Sequence, residues 1–283
     1  MSTIRVVTDS TADLGPRADE LGIAVVPLTV SFGDETFLDS VDLDARAFFE
    51  RLASANARTR PTTSQPTPDM FERLYRRLLG EGADGIVSIH VSSVLSGTAD
   101  TAQRIAADLL AMGVSVPIEV IDSRQASLGM HFGILAASRA AREGADMPTA
   151  IAAARDALAR TSVFFVAEDL EYLRRGGRIG QAQRVVGTLL NVKPVITLRD
   201  GAVISLETPR TRRRAYERLA ELVRERAPVE SVIVGQSSPD IGDQLEAAVR
   251  RVYDGPLTRM WAGPTIGAHV GPGAAGLAVL RAK

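Results

Sequence analysis

Residues 85–123 read GIVSIHVSSVLSGTADTAQRIAADLLAMGVSVPIEVIDS, and this stretch decides the fold. Residues 85–91 are an apolar run broken only by Ser88 and His90. A run that short, preceded by Asp84 and followed by Ser92-Ser93, marks a buried strand. Residues 94–112 then read as a helix, and residues 116–121 as another β-branched run. Strand, helix and strand in so short a span require a parallel crossover.

The alternation continues on both sides. Residues 4–8 read as a buried strand ended by Asp9-Ser10-Thr11, and residues 13–21 as a short helix stopped by Gly22. Residues 23–32 form a second apolar, β-branched run, followed by a polar loop and a helix over 45–53. Residues 61–68 are a Thr/Ser/Pro-rich connector, and Thr67 or Asp69 is placed to cap a helix running to Leu79. A further helix covers 125–143. This pattern predicts a doubly wound parallel sheet. The loops after its strands (Asp9-Ser10, residues 92–98 and Asp122-Ser123) then gather along one edge, where such sheets bind ligands.

Gly, Asp and Pro interrupt the helical pattern at 144–148, which divides the chain into residues 1–146 and 147–283. The second half opens with a helix to Arg160 and a strand over 163–167. Residues 194–198 and 202–207 flank Arg199-Asp200-Gly201, and Asp-Gly between β runs signals a hairpin. The expected fold class is therefore α/β in two domains: an N-terminal doubly wound parallel sheet and a C-terminal mixed or antiparallel α+β domain.

The bulk numbers narrow the function. Of 283 residues, 45% are hydrophobic and 24% charged, as in an ordinary globular protein. Lys+Arg number 33 against 34 Asp+Glu, so a net charge of -1 offers no field to recruit nucleic acid or an anionic membrane. The absence of cysteine removes disulfides, thiolate metal sites and a cysteine nucleophile, and agrees with a cytoplasmic location. The N-terminus enters a strand within a few residues, without the pattern of a secretory signal. Residues 261–280 carry no Asp, Glu, Lys or Arg, yet five glycines, two prolines and His269 would break a spanning helix. A buried strand–loop–strand is expected there, with no stable membrane insertion. No heptad or spare apolar helix appears, so a monomer is expected.

Four polar clusters and an arginine run invite chemistry. Thr62-Thr63-Ser64-Gln65-Pro66 lies in a loop, and residues 92–98 (SSVLSGT) pass from a strand end into a helix start. Hydroxyls and free N–H groups there suit an anion, or simply cap the helix. Residues 263–273 (GPTIGAHVGPG) set His269 among glycines, either as a donor to an anion or as a satisfied core histidine. Arg174-Arg175-Gly176-Gly177-Arg178 either grips a carboxylate or forms a turn with solvated arginines. Arg210, Arg212, Arg213 and Arg214 open a helix as a solvated basic face, or meet an acidic partner. Residues 271–276 match the dinucleotide fingerprint formally, but only residues 277–283 follow, too few for the unit it needs. Phosphate-loop, nucleophile-elbow and zinc-helix motifs are absent. With His90, His131 and His269 the only histidines, no metal site is expected. Asp9 and Asp122 at strand ends read as turn or capping groups ahead of catalytic carboxylates.

Six landmarks in order resemble the DegV family along almost the whole chain: residues 7–14, 63–66, 92–98, 120–123, 170–179 and 266–273. Leu-Ser-Gly-Thr at 95–98 and Ile-Gly-Ala-His-Val-Gly-Pro-Gly at 266–273 give the match its specificity. Thr62 departs from the pattern, which often has lysine there. The resemblance implies a long-chain fatty acid such as palmitate, stearate or oleate held between two domains. Its carboxylate would meet Thr63, Ser96, the Gly97 amide and His269, with Arg178 nearby. It also implies a carrier subunit without an active site or cofactor, which presents the acid to a fatty-acid kinase. Residues 23–32, Phe164-Phe165 and Leu189-Leu190 are candidates for the apolar lining. A different reading, a phosphotransferase-type enzyme for a small carbonyl or carboxylate substrate, would use His269 as nucleophile or base.

Overall fold

The computed structural model describes residues 3–56, 59–168, 170–185 and 192–283. Strand β1 (Ile4–Asp9) leads through a 3-10 turn (Ser10–Ala12) to α1 (Arg17–Glu20) and β2 (Ile23–Val26). Next come β3 (Thr29–Phe32), β4 (Glu35–Leu38), α2 (Ala45–Ser54), β5 (Pro61–Ser64) and α3 (Pro68–Gly80). Then follow β6 (Gly85–His90), α4 (Thr98–Ala111), β7 (Ile118–Asp122), α5 (Leu128–Arg142) and α6 (Met147–Arg160). The C-terminal part runs β8 (Thr161–Val166), α7 (Glu171–Arg175), β9 (Val195–Arg199), β10 (Ala202–Glu207) and α8 (Arg212–Glu225). It closes with β11 (Val229–Gln236), α9 (Pro239–Val249), β12 (Leu257–Trp261), α10 (Pro264–Val270) and β13 (Ala275–Arg281).

The N-terminal sheet is parallel throughout, in the order β2-β1-β6-β7. Its connections reverse direction between β1 and β6, so a crevice opens beyond Asp9 and His90. The C-terminal sheet has the order β10-β9-β8-β13-β11-β12 and is mixed: β11 and β12 run parallel, and the other pairs antiparallel. Asp200 (φ 51) and Gly201 (φ 81) make the two-residue turn of the β9–β10 hairpin, where both positions need the left-handed region.

Apolar spacing dictates the layers. Tyr75 and Leu109 of α3 and α4 pack with Val7 and Ile86 on one face of the parallel sheet. Ile134, Ala150 and Ala154 of α5 and α6 pack with Val6 and Ile89 on the other. The far side of α5 turns Leu128 and Phe132 onto Ile233 and Ala278 of the large sheet, joined by Ala157 of α6. Both helices thus lie between the two sheets, with the division expected after residue 146 falling between them. Leu219 of α8 and Leu245 of α9 seal the outer face against Val234 and Leu277. Among the described residues no helix is long and apolar enough to cross a membrane.

Several local expectations need correction. Residues 23–32 split at Pro27: β2 joins the parallel sheet, while β3 joins a separate antiparallel sheet, β4-β3-β5. Residues 61–64 are its edge strand rather than connector, with proline tolerated at the first position. Helix α1 spans only Arg17–Glu20, because Asp13 is left-handed and Gly15-Pro16 interrupts. Helix α4 starts at Thr98, after Ser92 accepts turn bonds from Leu95 and Ser96. In residues 261–280 the expected loop contains α10, started by Pro264 and stopped by Gly271 (φ 75).

Leu219 is fully buried in the outer core, so Leu219→Ala is expected to cost about 2–5 kcal/mol of unfolding free energy. Urea titration checks this; a loss below about 1 kcal/mol would mean that α8 does not seal that face.

Candidate functional site

Both halves of the chain supply walls to one cavity of about 160 Å³. Thr63 of edge strand β5 and His269 of α10 meet there, with Thr63 Oγ1 2.8 Å from His269 Nε2. Their 206-residue separation makes this a contact between the two halves. Ser96 lines the same cavity from the turn before α4, its hydroxyl 2.8 Å from that of Thr98. Arg178 enters from the loop after α7, where its Nε donates to the Leu95 carbonyl at 2.9 Å. Thr63, Ser96, Arg178 and His269 are therefore brought together. Gly97 caps α4 next to Ser96 but is not among the lining residues, and the Gln65 side chain lies directly against it.

Away from this polar group the wall is apolar. Leu28, Val91 and Leu95 come from one half, and Phe165, Leu173 and Ile266 from the other. Leu28 belongs to the predicted 23–32 lining and Phe164 and Phe165 are present, whereas Leu189 and Leu190 lie outside the described residues. The crevice beyond β1 and β6 opens here, as the reversal in strand order requires.

Two buried carboxylates, neither among the candidate ligands named from the sequence, anchor the start of α10. Asp13 accepts from the Gly263 amide at 2.9 Å and from the Ser127 hydroxyl. Asp39 accepts from the Thr265 amide at 3.2 Å and from Ser10 Oγ at 3.0 Å. Residues of the first half thereby hold the helix that carries His269. Gly176 completes the seat: a methyl built there would overlap His269 Nδ1, so only glycine admits the ring.

The remaining polar clusters serve the fold. His90 is fully buried between Asp9 Oδ2 (2.9 Å) and Ser88 Oγ (2.7 Å), and Ser88 continues to the Tyr75 hydroxyl. Asp122 accepts from Ser93 and Arg124 and so closes its turn. Arg174 and Arg175 pair with Glu171, Arg212 with Glu168, and Arg213 with Glu217. Among the described residues no three His, Asp or Glu side chains converge as metal ligands would. No carboxylate there orients His269 Nδ1, which is buried without a hydrogen bond. The base–orienter pair of an activated histidine is thus not formed.

The chain matches the family described as "Uncharacterised protein, DegV family" over residues 3–282. It belongs to the DegV family. A DegV domain-containing protein of Streptomyces coelicolor is 40% identical over 285 residues, covering 98% of each chain. Among solved structures, one described as fatty acid binding of a DegV family protein from Thermus thermophilus superposes with a TM-score of 0.87. That protein is 32% identical, with 99% of this chain and 100% of that one covered. DegV of Bacillus subtilis, described as a fatty acid binding protein, gives a TM-score of 0.85 at 29% identity, with 99% and 100% covered. A stearic acid-binding protein of Eubacterium ventriosum gives 0.89 at 26% identity, with 99% and 98% covered.

In this DegV-family chain burial controls the charges near the site. Burial lowers His269 to about 4, with Arg178 adding to the effect. Burial likewise lowers His131 to about 4; its Nε2 bonds to the Ala12 carbonyl. Burial holds Asp13 well above the usual carboxylate range, against the bonds from Ser127 and Gly263, and raises Asp39 as well. A histidine depressed when folded loses stability as pH falls from its unfolded value near 6.5 toward 4, because the unfolded chain takes the proton first. The raised carboxylates act in the opposite sense and gain on acidification. Fully buried His131 is expected to contribute a loss on the order of 3 kcal/mol across that window. His131→Gln should flatten the slope of unfolding free energy between pH 6.5 and 4 by a corresponding amount; an unchanged slope would refute the assignment. Gly176→Ala is expected to displace the His269 ring, visible as a shift of its imidazole NMR resonances at unchanged far-UV circular dichroism.

Proposed function

We propose that this chain binds a long-chain fatty acid in the cavity between residues 1–146 and 147–283. The observation that carries the reading is the cavity itself, whose apolar wall leads to the paired Thr63 and His269. While the expected Gly97 amide lies outside the lining, a carboxylate at that end would meet the Thr63 and Ser96 hydroxyls, the His269 ring and Arg178. These are neutral donors with one permanent cation, a set able to offset desolvation of a single anion. The solved DegV relatives described as fatty-acid-binding support the same reading. Palmitate, stearate and oleate are the ligands expected, carried without a cofactor by a monomer that has no catalytic step of its own.

The chain would also deliver what it binds. The carboxylate end lies among half-buried side chains, where a fatty-acid kinase with ATP could reach it and transfer the γ-phosphoryl group to a carboxylate oxygen. The products would be acyl phosphate, still on the carrier, and ADP. This places the chain ahead of phospholipid synthesis in the cytoplasm.

Mass spectrometry of an organic extract of the denatured protein is expected to find near one fatty acid per chain. No acyl ligand, together with no exchange of added fatty acid, would defeat the reading. Thr63→Ala and His269→Ala are each expected to weaken acyl binding about tenfold, the scale of one buried hydrogen bond of 1–1.5 kcal/mol.

A further inference from the structure

The inner face of the large sheet carries a bare patch. Registers place Met260, Gly235, Gly276, Phe165 and Ile196 side by side across β12, β11, β13, β8 and β9. The rung two residues away on the same face is filled by Ile233, Ala278 and Val163. Adjacent glycines are unfavourable inside a sheet unless something approaches the backbone closely. At Gly235 a large side chain does so, and at Gly276 the neighbouring strand β8 does. A methyl built at Gly235 would stand 2.6 Å from Leu128 Cδ1, and one at Gly276 3.1 Å from Phe165 Cβ and 3.0 Å from the Phe164 carbonyl. Leu128, Phe165 and both glycines line the cavity.

Leu128 is held in place from behind. It opens α5 directly after Ser127, whose φ of 51° is left-handed, and the Ser127 hydroxyl is tied to buried Asp13. A non-glycine residue persists there only when its surroundings hold it. Leu128 therefore has little freedom to retreat along the helix if the sheet beneath it thickens.

We infer that the Gly235–Gly276 pair sets the bore of the cavity, and so the acyl chain lengths it accepts, by letting Leu128 lie close against the sheet beside Phe165, which lines the same cavity. This rests on the fatty-acid reading above. A methyl at position 235 must lift Leu128 by about 1 Å to regain ordinary contact of 3.5–4.0 Å, and the displaced group enters the acyl path. Each methylene prevented from burying weakens binding about fourfold, so two cost roughly fifteenfold.

The test is competitive exchange of tetradecanoate and octadecanoate into the full-length protein, with Gly235→Ala, Gly235→Ala/Leu128→Ala and Phe165→Leu beside the wild type. Gly235→Ala is expected to lower the octadecanoate-to-tetradecanoate preference roughly fifteenfold. The added Leu128→Ala should restore it, and Phe165→Leu alone should move the preference toward the longer chain. Phe165 is only partly buried, so that variant reads the bore even where Gly235→Ala fails to fold. Folded variants that load acyl chains with wild-type preference would overturn the inference and leave the fatty-acid reading standing. A wild type that takes up neither acid would overturn both.

Discussion

The start of α10 is gripped by carboxylates from the opposite half of the chain, and the site depends on that grip. Asp13 and Asp39 sit on the loops after β1 and β4, yet their oxygens accept from the Gly263 and Thr265 amides. A helix start leaves its first N–H groups unpaired, and a buried start must find acceptors. Here the acceptors come from the other half, so pairing those amides also docks the helix. Seven residues then suffice to bring His269 from that anchor to Thr63. Burial pushes both carboxyls up, which makes the grip costly in isolation. Such an arrangement makes sense as a device for register between two sheets rather than for stability.

The layer between the sheets serves the same end. Helix α5 uses Ile134 against the parallel sheet and Leu128 against the mixed one, so a single rigid element spaces both walls. On the proposed reading, about fourteen methylenes at about 0.8 kcal/mol each offer on the order of 11 kcal/mol before association costs. The apolar wall then supplies the affinity, and the polar end supplies orientation.

Much of this frame was legible in the residues. Short buried runs alternating with amphipathic helices force parallel crossovers, and Asp200-Gly201 specifies its hairpin through two left-handed positions. What escaped was decided by distant contacts. Residues 61–64 are loop-like in composition and become a strand because β3 offers an edge, with Val30 opposite Thr63. The run 23–32 is continuous in hydropathy, and only Pro27, lacking an N–H, marks where it changes sheets. Helix α10 did leave a signal, Pro264 at its start and Gly271 at its end, which the glycine content obscured. In the site, Thr63, Ser96, Arg178 and His269 were singled out through motifs of the family resemblance. Spacing alone cannot join residues 206 apart; Asp13 falls inside the 7–14 landmark, but nothing local gives it or Asp39 a docking role.

The electrostatics of His269 separate two ways of holding an anion. It stands in the last turn of α10, where a helix terminus favours a cation. Burial and the neighbouring Arg178 overcome that preference and leave the ring neutral at neutral pH. An imidazolium beside a guanidinium would be a strong anion trap, but it would destabilise the empty protein by packing like charges into a partly apolar cavity. A neutral ring bonded to a hydroxyl avoids that cost. It leaves Arg178, itself tied to the Leu95 carbonyl, as the permanent charge at this end of the cavity. On the proposed reading, a carboxylate arriving there would meet one fixed cation and adjustable neutral donors, an arrangement suited to a ligand that must also leave.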